Sequence, residues 1–419
     1  MRLIIALLSS LLFLSNADIS YGVTLNQVLN RKPQKIEPGR AGNISERDFN
    51  RLGKAQKFMA DEKYNDALTL LSSLEKSMAN KKYGLAQVYQ TKGYVYAQTD
   101  RFAEASEAFK KTVTLKSLPL GPTLSTMYSL AQVLAAQEKY LDAIPYIQDY
   151  IFNSEQVKPD AYFFLGQVWM QVKQTAKAIE NVEKAISLEK KPKEAWLRFI
   201  VALYYEKKEY PKAAAMLEKL LQIAPEKTKY WKQLSSVYVA MNAEDKALAT
   251  MEVAQKHGVL TDEKDMIHLA KLSMFRDIPY KAGQYLEEAM KTDKVEKNFK
   301  NYKLLADTWV ASQEMDKALD ALSKAAPLAP NGEIYVRRGQ IFLEKEQWKE
   351  AITDIRKGIK KGGLKKAGLA YLAMGIAQYK TGSTQSSLEA FRSAQKYPKY
   401  QKQASEWINH LKEESAITH

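Results

Sequence analysis

The chain has 419 residues, with 63 Lys or Arg against 48 Asp or Glu, which gives a formal net charge of +15 at pH 7. A chain of this length exceeds the usual size of one compact core, so it is either several domains or a repeat array that grows by stacking. It contains no cysteine. Disulfides, thiolate metal sites, cysteine nucleophiles and lipid attachment at a lipoprotein cysteine are therefore excluded.

Residues 1–17 have the layout of a signal peptide. Arg2 precedes an apolar run from Leu3 to Leu14, and the small residues Ser15 and Ala17 follow it. The run is shorter than the ~20 residues of a membrane-spanning helix, and small residues suit cleavage after residue 17. We expect an exported protein, with an uncleaved N-terminal anchor in the inner membrane as the alternative. Export makes nucleic acid an unexpected partner despite the positive charge.

Residues 18–47 differ in composition from the rest of the chain. They contain Pro33, Pro38, Gly39 and Gly42 and few apolar side chains. This composition predicts a flexible leader.

From residue 48 onwards, two small-residue sites recur. The second site of each pair repeats every 33 to 38 residues and is Ala67, Ala105, Ala143, Ala178, Ala213, Ala247, Ala282, Ala318, Ala351 and Ser387. The first site lies twelve residues earlier and is Ala55, Gly93, Ala131, Gly166, Val201, Ser235, Ala270, Ala306, Gly339 and Gly375. A period of this length is typical of a repeat array.

Each period fits two amphipathic helices of about thirteen residues, roughly 20 Å long, with small side chains where the helices approach most closely. A large apolar residue follows the second small site by one helical turn and so shares its face. These ten residues are Leu71, Phe109, Ile147, Val182, Leu217, Met251, Leu286, Leu322, Ile355 and Phe391.

The small–small spacing resembles the tetratricopeptide repeat signature, which is clearest in Trp231, Leu234, Tyr238, Ala247 and Ala254. The resemblance implies an all-α, right-handed solenoid of helical hairpins with about ten repeats over residues 48–400. Residues 401–419 are then a capping helix and tail. Ser387, where the other copies have alanine, predicts a loosely packed last repeat.

Five stretches show a narrower resemblance: ALYYEKKEYPKAA, YWKQLSSVY, GVLTDEKDMIHLAKL, PYKAGQYLEEAM and GLAYLAMGIAQYKTG. They are similar to exported tetratricopeptide proteins that accompany TonB–ExbB–ExbD systems in Gram-negative bacteria. That resemblance implies a periplasmic, non-catalytic interaction scaffold that assists TonB-dependent energy transduction and uptake, with components of the TonB–ExbB–ExbD complex as partners. The alternative is a structural or assembly factor for other envelope machinery, such as the outer membrane, polysaccharide or cell wall.

No residue pattern indicates catalysis. His257, His268 and His410 lack the spacing that would direct two imidazoles at one metal ion. Asp265 and His268 are three residues apart on one predicted helix, a spacing typical of surface neighbours. We therefore expect no enzyme, no metal site and no cofactor.

In tetratricopeptide arrays the first helix of each hairpin lines the concave groove. The positions six and three residues before, and one and four after, the first small site then face a partner. In the repeats marked by Val201, Ser235, Ala270 and Ala306, seven of these sixteen positions are basic, namely Arg198, Lys229, Lys232, Lys264, Lys271, Lys300 and Lys303. Aromatic residues at equivalent positions of the N-terminal half are Tyr94, Tyr128, Phe163 and Tyr205. This groove predicts an acidic protein partner.

A second basic concentration covers residues 356–402, where eleven Lys or Arg stand against Glu389 alone. A region of this charge is suited to an anionic membrane surface. We expect such contact in addition to the protein partner.

Overall fold

The computed structural model describes residues 23–417, so the predicted signal peptide lies outside the described residues. Within that range the chain forms α-helices and two short 3-10 helices, without a β-strand. None of these helices is long and apolar enough to cross a membrane. The chain divides into two compact units, Met1–Met216 and Leu217–His419, with the boundary inside one helix.

The first unit contains α1 to α10 and the beginning of α11. Their bounds are Leu25–Asn30 (α1), Glu46–Ala60 (α2), Tyr64–Ser77 (α3), Lys82–Gln98 (α4), Phe102–Thr114 (α5), Leu120–Ala136 (α6), Tyr140–Asn153 (α7), Pro159–Gln171 (α8), Thr175–Ser187 (α9), Glu194–Glu206 (α10) and Tyr210–Ile223 (α11). From α2 to α10, each helix packs against the next one in the chain.

The second unit contains the end of α11 and the remaining helices. Their bounds are Thr228–Ala240 (α12), Glu244–Lys256 (α13), Glu263–Phe275 (α14), Pro279–Lys291 (α15), Phe299–Ala311 (α16), Met315–Ala325 (α17), Glu333–Glu344 (α18), Trp348–Lys361 (α19), Ala367–Lys380 (α20), Thr384–Gln395 (α21) and Gln401–Ile417 (α22). Here too each helix from α12 to α21 packs against the next one in the chain.

Helices α2 to α21 form ten hairpins whose turns share one backbone conformation. Each turn has three residues, and its middle residue has a positive φ that ends the first helix in the left-handed region. The ten residues are Glu62, Asp100, Glu138, Lys173, Lys208, Asn242, Asp277, Gln313, Glu346 and Gly382. Only one of the ten is glycine, so the repeat accepts the steric cost of a side chain at this point.

The small sites lie where the paired helices approach most closely. All ten second small sites and all ten large apolar residues one turn later are fully buried. A Cβ added to Gly93 would lie 2.4 Å from the Phe109 ring, and one added to Gly375 would lie 2.6 Å from Phe391. The prediction of an all-α array of helical hairpins is confirmed.

Serine at a small site is accommodated by a hydrogen bond. Ser235 on α12 donates to the Ala247 carbonyl on α13 at 3.1 Å, and Ser387 on α21 donates to the Gly375 carbonyl on α20 at 2.8 Å. Ser387 is fully buried. The predicted looseness of the last repeat is wrong, because a hydroxyl satisfied by the partner helix costs little to bury.

A tyrosine–glutamate hydrogen bond joins several second helices to the next first helix in the chain. Tyr204 on α10 donates to Glu183 on α9 at 2.6 Å, and Tyr238 on α12 donates to Glu218 on α11 at 2.6 Å. Partial burial, together with the Glu218 carboxylate, raises the pKa of Tyr238 to about 12. The phenol therefore stays protonated and donates at any physiological pH.

Residues 23–45 differ from the flexible leader predicted for residues 18–47. Thr24 caps α1, Val28 is 1% exposed, and the segment after α1 runs along α7. Asn153 on α7 accepts the Ile36 N–H at 2.9 Å and donates to the Gln34 carbonyl at 2.8 Å. The prolines and glycines leave the segment without a continuous helix, and polar side chains of α7 satisfy its extended backbone.

The last helix, α22, packs against α21. Trp407 stacks on Phe391 with ring centroids 5.3 Å apart, and Ile408 and Leu411 are buried beside them. This apolar cluster covers the end of the tenth hairpin, which would otherwise expose its core.

Candidate protein-binding face

Six predicted binding lysines lie on three successive first helices of the second unit. We call them the first-helix strip: Lys229, Lys232, Lys264, Lys271, Lys300 and Lys303, on α12, α14 and α16. All six are exposed. Spacings of three and seven residues place each pair on one side of its helix. The opposite side of α12 buries Tyr230, Leu234 and Tyr238 in the core.

Polar contacts between first helices hold the strip together. Asn301 on α16 donates to Glu263 on α14 at 2.6 Å. Asn301 is 1% exposed, and its Nδ2 also donates to the Glu296 carbonyl at 2.9 Å, so both of its amide hydrogens are used. The lysines of α14 and α16 are therefore displayed on helices whose separation is fixed.

Lys232 is committed to an internal ion pair. Its Nζ lies 2.6 Å from Oδ1 of Asp265, which is 2% exposed on the neighbouring helix α14. Oδ2 of Asp265 is buried and has no hydrogen-bond partner among residues 23–417. Because a buried carboxylate needs its counter-charge, Lys232 is required by the fold and is not available to a partner.

Lys303 is partly neutralised. Its Nζ lies 3.7 Å from Asp307, one turn later on α16, and Arg337 of α18 binds the other oxygen of the same carboxylate. Asp307 is the only acid at the sixteen positions that the sequence selected. Its negative charge is therefore already shared between two cations.

The other four lysines of the strip keep their charge uncompensated. Lys229, Lys264, Lys271 and Lys300 form no ion pair within the described part of the chain. The Lys229 ammonium lies 4.8 Å from the centroid of the Tyr230 ring, a cation–π contact that leaves its charge in place. These four define an exposed positive surface.

His268 adds no charge to this surface at neutral pH. Partial burial lowers the pKa of its imidazole below the ordinary value; the Asp265 carboxylate opposes this shift, and Lys232 and Lys271 add to it. In residues 23–417 no three His, Cys, Asp or Glu side chains are grouped so as to hold a metal ion. The positive field of the strip therefore comes from lysines alone.

The remaining predicted residues belong to the first unit. Arg198 on α10 is exposed, and Tyr205 on the same helix is 50% exposed and contacts Tyr210. Tyr94 packs edge-on against Phe109, and burial raises the pKa of its phenol. Tyr128 contacts Tyr150, with ring centroids 4.8 Å apart. Of these aromatics, Tyr205 alone presents half of its surface.

The structure corrects the prediction for Phe163, whose side chain does not face a groove. It is 9% exposed and stacks against Trp196 of the next first helix, with ring centroids 5.4 Å apart. The position three residues before a first small site lies at the seam with the next first helix. A large apolar side chain there is covered by its neighbour.

The seam position explains why the Lys232–Asp265 pair was missed from the sequence. Phe163 and Trp196 are 33 residues apart, and so are Lys232 and Asp265. The two pairs occupy equivalent positions, one apolar and one ionic. The Lys232–Asp265 pair could have been found by comparing each seam residue with the residue 33 positions later in the sequence.

Family models match two parts of the chain. Residues 86–117 match the tetratricopeptide repeat, and residues 125–297 match ChAPs, described as Chs5p-Arf1p-binding proteins. Among curated proteins, no sequence matches the chain. The repeat match lies within the array of helical hairpins described above, so the fold of the described residues is of the tetratricopeptide-repeat type.

Several solved structures are similar at low identity. The C-terminal part of a TPR repeat-containing protein from Cytophaga hutchinsonii is 16% identical with a TM-score of 0.41, covering 67% of this chain and 95% of that one. A MamA RS-1 double mutant is 17% identical with a TM-score of 0.39, covering 44% of this chain and 97% of that one. YrrB, a TPR protein with an unusual peptide-binding site, is 15% identical with a TM-score of 0.38, covering 47% and 96%.

Proposed function

We propose that this chain is a non-catalytic scaffold that binds an acidic segment of a protein partner along the first-helix strip. The observation that carries the proposal is the set of four exposed lysines, Lys229, Lys264, Lys271 and Lys300, that form no ion pair within residues 23–417. Every other charge at the selected positions of α12, α14 and α16 is already paired.

The arrangement favours a protein over a small molecule. The lysines are distributed over three helices that polar contacts hold in register. An extended acidic segment is suited to such a surface, because each lysine meets one carboxylate and the helices supply a rigid template. The ChAPs family that matches residues 125–297 is described as Chs5p-Arf1p-binding proteins, which supports the same class of function.

The proposal also includes the cellular location of the chain and the complex that contains its partner. We place the chain in the periplasm, as an accessory to TonB-dependent energy transduction and uptake. Support comes from the signal-peptide layout of residues 1–17 and from the resemblance of the repeats to TonB-associated proteins. Because the strip is positive, its direct ligand in such a complex is an acidic segment. Fractionation of the native cells checks the location, and co-purification with ExbB, ExbD or TonB checks the complex.

The binding face itself is tested by site-specific photocrosslinking in the native cells. A photoreactive residue at position 264, 271 or 300 should give one common crosslinked partner, identified by mass spectrometry. Exposed control positions 190, 219 and 349, which lie outside the strip, should not give it.

Charge reversal then tests the role of charge. The triple change Lys264→Glu, Lys271→Glu and Lys300→Glu should abolish the crosslink, whereas Lys190→Glu, Lys219→Glu and Lys349→Glu, with the same net charge, should preserve it. Lys232 is left unchanged because the fold requires it. The proposal would be contradicted if both triple variants lost the crosslink equally. It would also be contradicted if a partner crosslinked only to the control positions.

A further inference from the structure

Seven lysines lie at one end of the last two hairpins, where each second helix ends and the next helix begins. We call them the lysine edge: Lys360, Lys361, Lys365, Lys366, Lys396, Lys399 and Lys402. They belong to the end of α19, the connector to α20, the connector from α21 and the start of α22. Lys380, at the hairpin turn of α20, lies at the other end.

Contacts between the connectors show that these lysines share one edge. The Gly332 N–H donates to the Gly362 carbonyl at 2.8 Å, which joins the connector before α18 to the connector before α20. A Cβ added to Gly368, at the start of α20, would lie 2.5 Å from Tyr400 and 2.8 Å from Tyr397. The connectors before α20 and α22 are therefore adjacent, and their lysines form one surface.

The lysine edge is exposed and uncompensated. All seven side chains are exposed, and none forms an ion pair within residues 23–417. The Lys361 ammonium lies 5.7 Å from the centroid of the Tyr335 ring. Glu333 accepts the backbone N–H of Lys365 at 3.2 Å, which holds the connector in place, and it forms no ion pair with a lysine of the edge.

Helix stability explains only part of this arrangement. Lys360 and Lys361 lie in the last turn of α19, where a cation is favoured by the helix macrodipole. Lys366 is the N-cap residue of α20, and Lys402 lies in the first turn of α22, where the same macrodipole disfavours a cation. These two lysines stand at positions that the macrodipole disfavours and have no carboxylate to pair with, so helix stability does not account for them.

We propose that the lysine edge docks the protein peripherally on a bilayer surface that contains anionic phospholipids. Lysine ammonium groups are strongly hydrated point charges, which suit a diffuse anionic surface better than the bidentate recognition of one phosphate. Tyr397 lies among the lysines with 37% of its surface exposed, stacked on Tyr371. An aromatic ring with a polar tip is suited to the headgroup region of a bilayer.

The proposal is independent of the first-helix strip, since no residue is shared between the two surfaces. It is tested by co-sedimentation of the whole chain with vesicles of phosphatidylcholine alone, and with vesicles in which about one-third of the lipid is phosphatidylglycerol. Binding should require the anionic lipid and should weaken steeply between about 50 mM and 500 mM salt.

A matched pair of variants tests the edge. Changing Lys360, Lys361, Lys365 and Lys366 to Gln should lower the vesicle partition coefficient more than tenfold, because each lysine near an anionic surface contributes roughly a factor of five. The control changes Lys57, Lys76, Lys184 and Lys190 to Gln, which removes the same charge from exposed side chains elsewhere. It should bind vesicles almost as the parent does.

The proposal would be overturned if the edge and control variants lost vesicle binding equally, or if the parent chain showed no preference for anionic vesicles. Binding only to a soluble acidic protein or to nucleic acid would overturn it as well. The edge variant should also retain the photocrosslink from position 271. This readout separates failure of membrane docking from failure of the proposed partner binding.

Discussion

The guanidinium of Arg31 binds the carboxylate of Asp149 through two parallel hydrogen bonds, of 2.8 Å and 2.6 Å, across 118 residues of sequence. Asp149 is 6% exposed and also accepts the Gln34 N–H at 2.8 Å. One buried carboxylate on α7 therefore fixes both the end of α1 and the extended chain after it. The bidentate geometry gives orientation as well as energy.

Arg31→Ala should destabilise the first unit by about 2 kcal/mol, because the buried Asp149 carboxylate loses its counter-charge and keeps one backbone donor. Residues 23–39 should become sensitive to protease before the repeats do. Urea denaturation and limited proteolysis measure the two effects. Arg40→Ala is the control, since Arg40 is exposed and forms no ion pair in the described part of the chain. Equal protease sensitivity of the two variants would show that the ion pair does not hold the segment.

The repeat could be predicted from the sequence because its determinants are local and recur in phase. Every second small site, from Ala67 to Ser387, is fully buried at the hairpin contact. The packing of residues 23–45 could not be predicted, because it depends on contacts with α7 that are far apart in sequence, such as Arg31 with Asp149 and Ile36 with Asn153. Composition alone describes that segment as flexible, and only the polar side chains of α7 make it ordered.

The exposure of the strip lysines could be predicted from the sequence, but their ion pairs could not. Helical periodicity correctly gave exposed lysines on α12, α14 and α16. Which of them are free depends on contacts between repeats, such as Lys232 with Asp265, and on seam positions that bury Phe163. Periodicity within one helix carries no information about the neighbouring helix.

Lys232→Met and Lys264→Met remove the same charge from neighbouring helices of the strip but should differ in stability. Lys232→Met leaves the Asp265 carboxylate buried without a counter-charge, so we expect a loss of about 2 kcal/mol, whereas Lys264→Met should cost less than about 0.5 kcal/mol. Urea denaturation measures both. Adding Asp265→Leu to Lys232→Met should restore most of the stability, because an apolar pair replaces an unpaired charge. Failure of that rescue would show that the Lys232 side chain matters for packing and not for charge.

Two helical glycines should respond to alanine with opposite signs. At Gly93, on α4, the new Cβ would lie 2.4 Å from the Phe109 ring, so Gly93→Ala should destabilise by about 1–3 kcal/mol through overpacking. Gly53, on α2, has no neighbouring atom within 4 Å, so Gly53→Ala should stabilise by about 0.5–1 kcal/mol through helix propensity. Thermal unfolding measures both changes. Stabilisation by Gly93→Ala would contradict the close approach of α4 and α5.

The left-handed residue of the hairpin turns gives the last prediction. Gly382 has a φ of +73°, and a Cβ added there would have no neighbouring atom within 4 Å. Gly382→Ala should therefore destabilise the fold by about 1 kcal/mol through backbone strain alone. Lys173 has φ +58° in the equivalent turn of the fourth hairpin, and Lys173→Gly should relieve the same strain. The gain there is about 0.5 kcal/mol or less, because glycine also raises the entropy of the unfolded chain. Urea denaturation of both variants, with Lys173→Ala as a near-neutral control, separates backbone strain from loss of the lysine side chain. If Lys173→Ala and Lys173→Gly change stability equally, the left-handed turn does not set the cost.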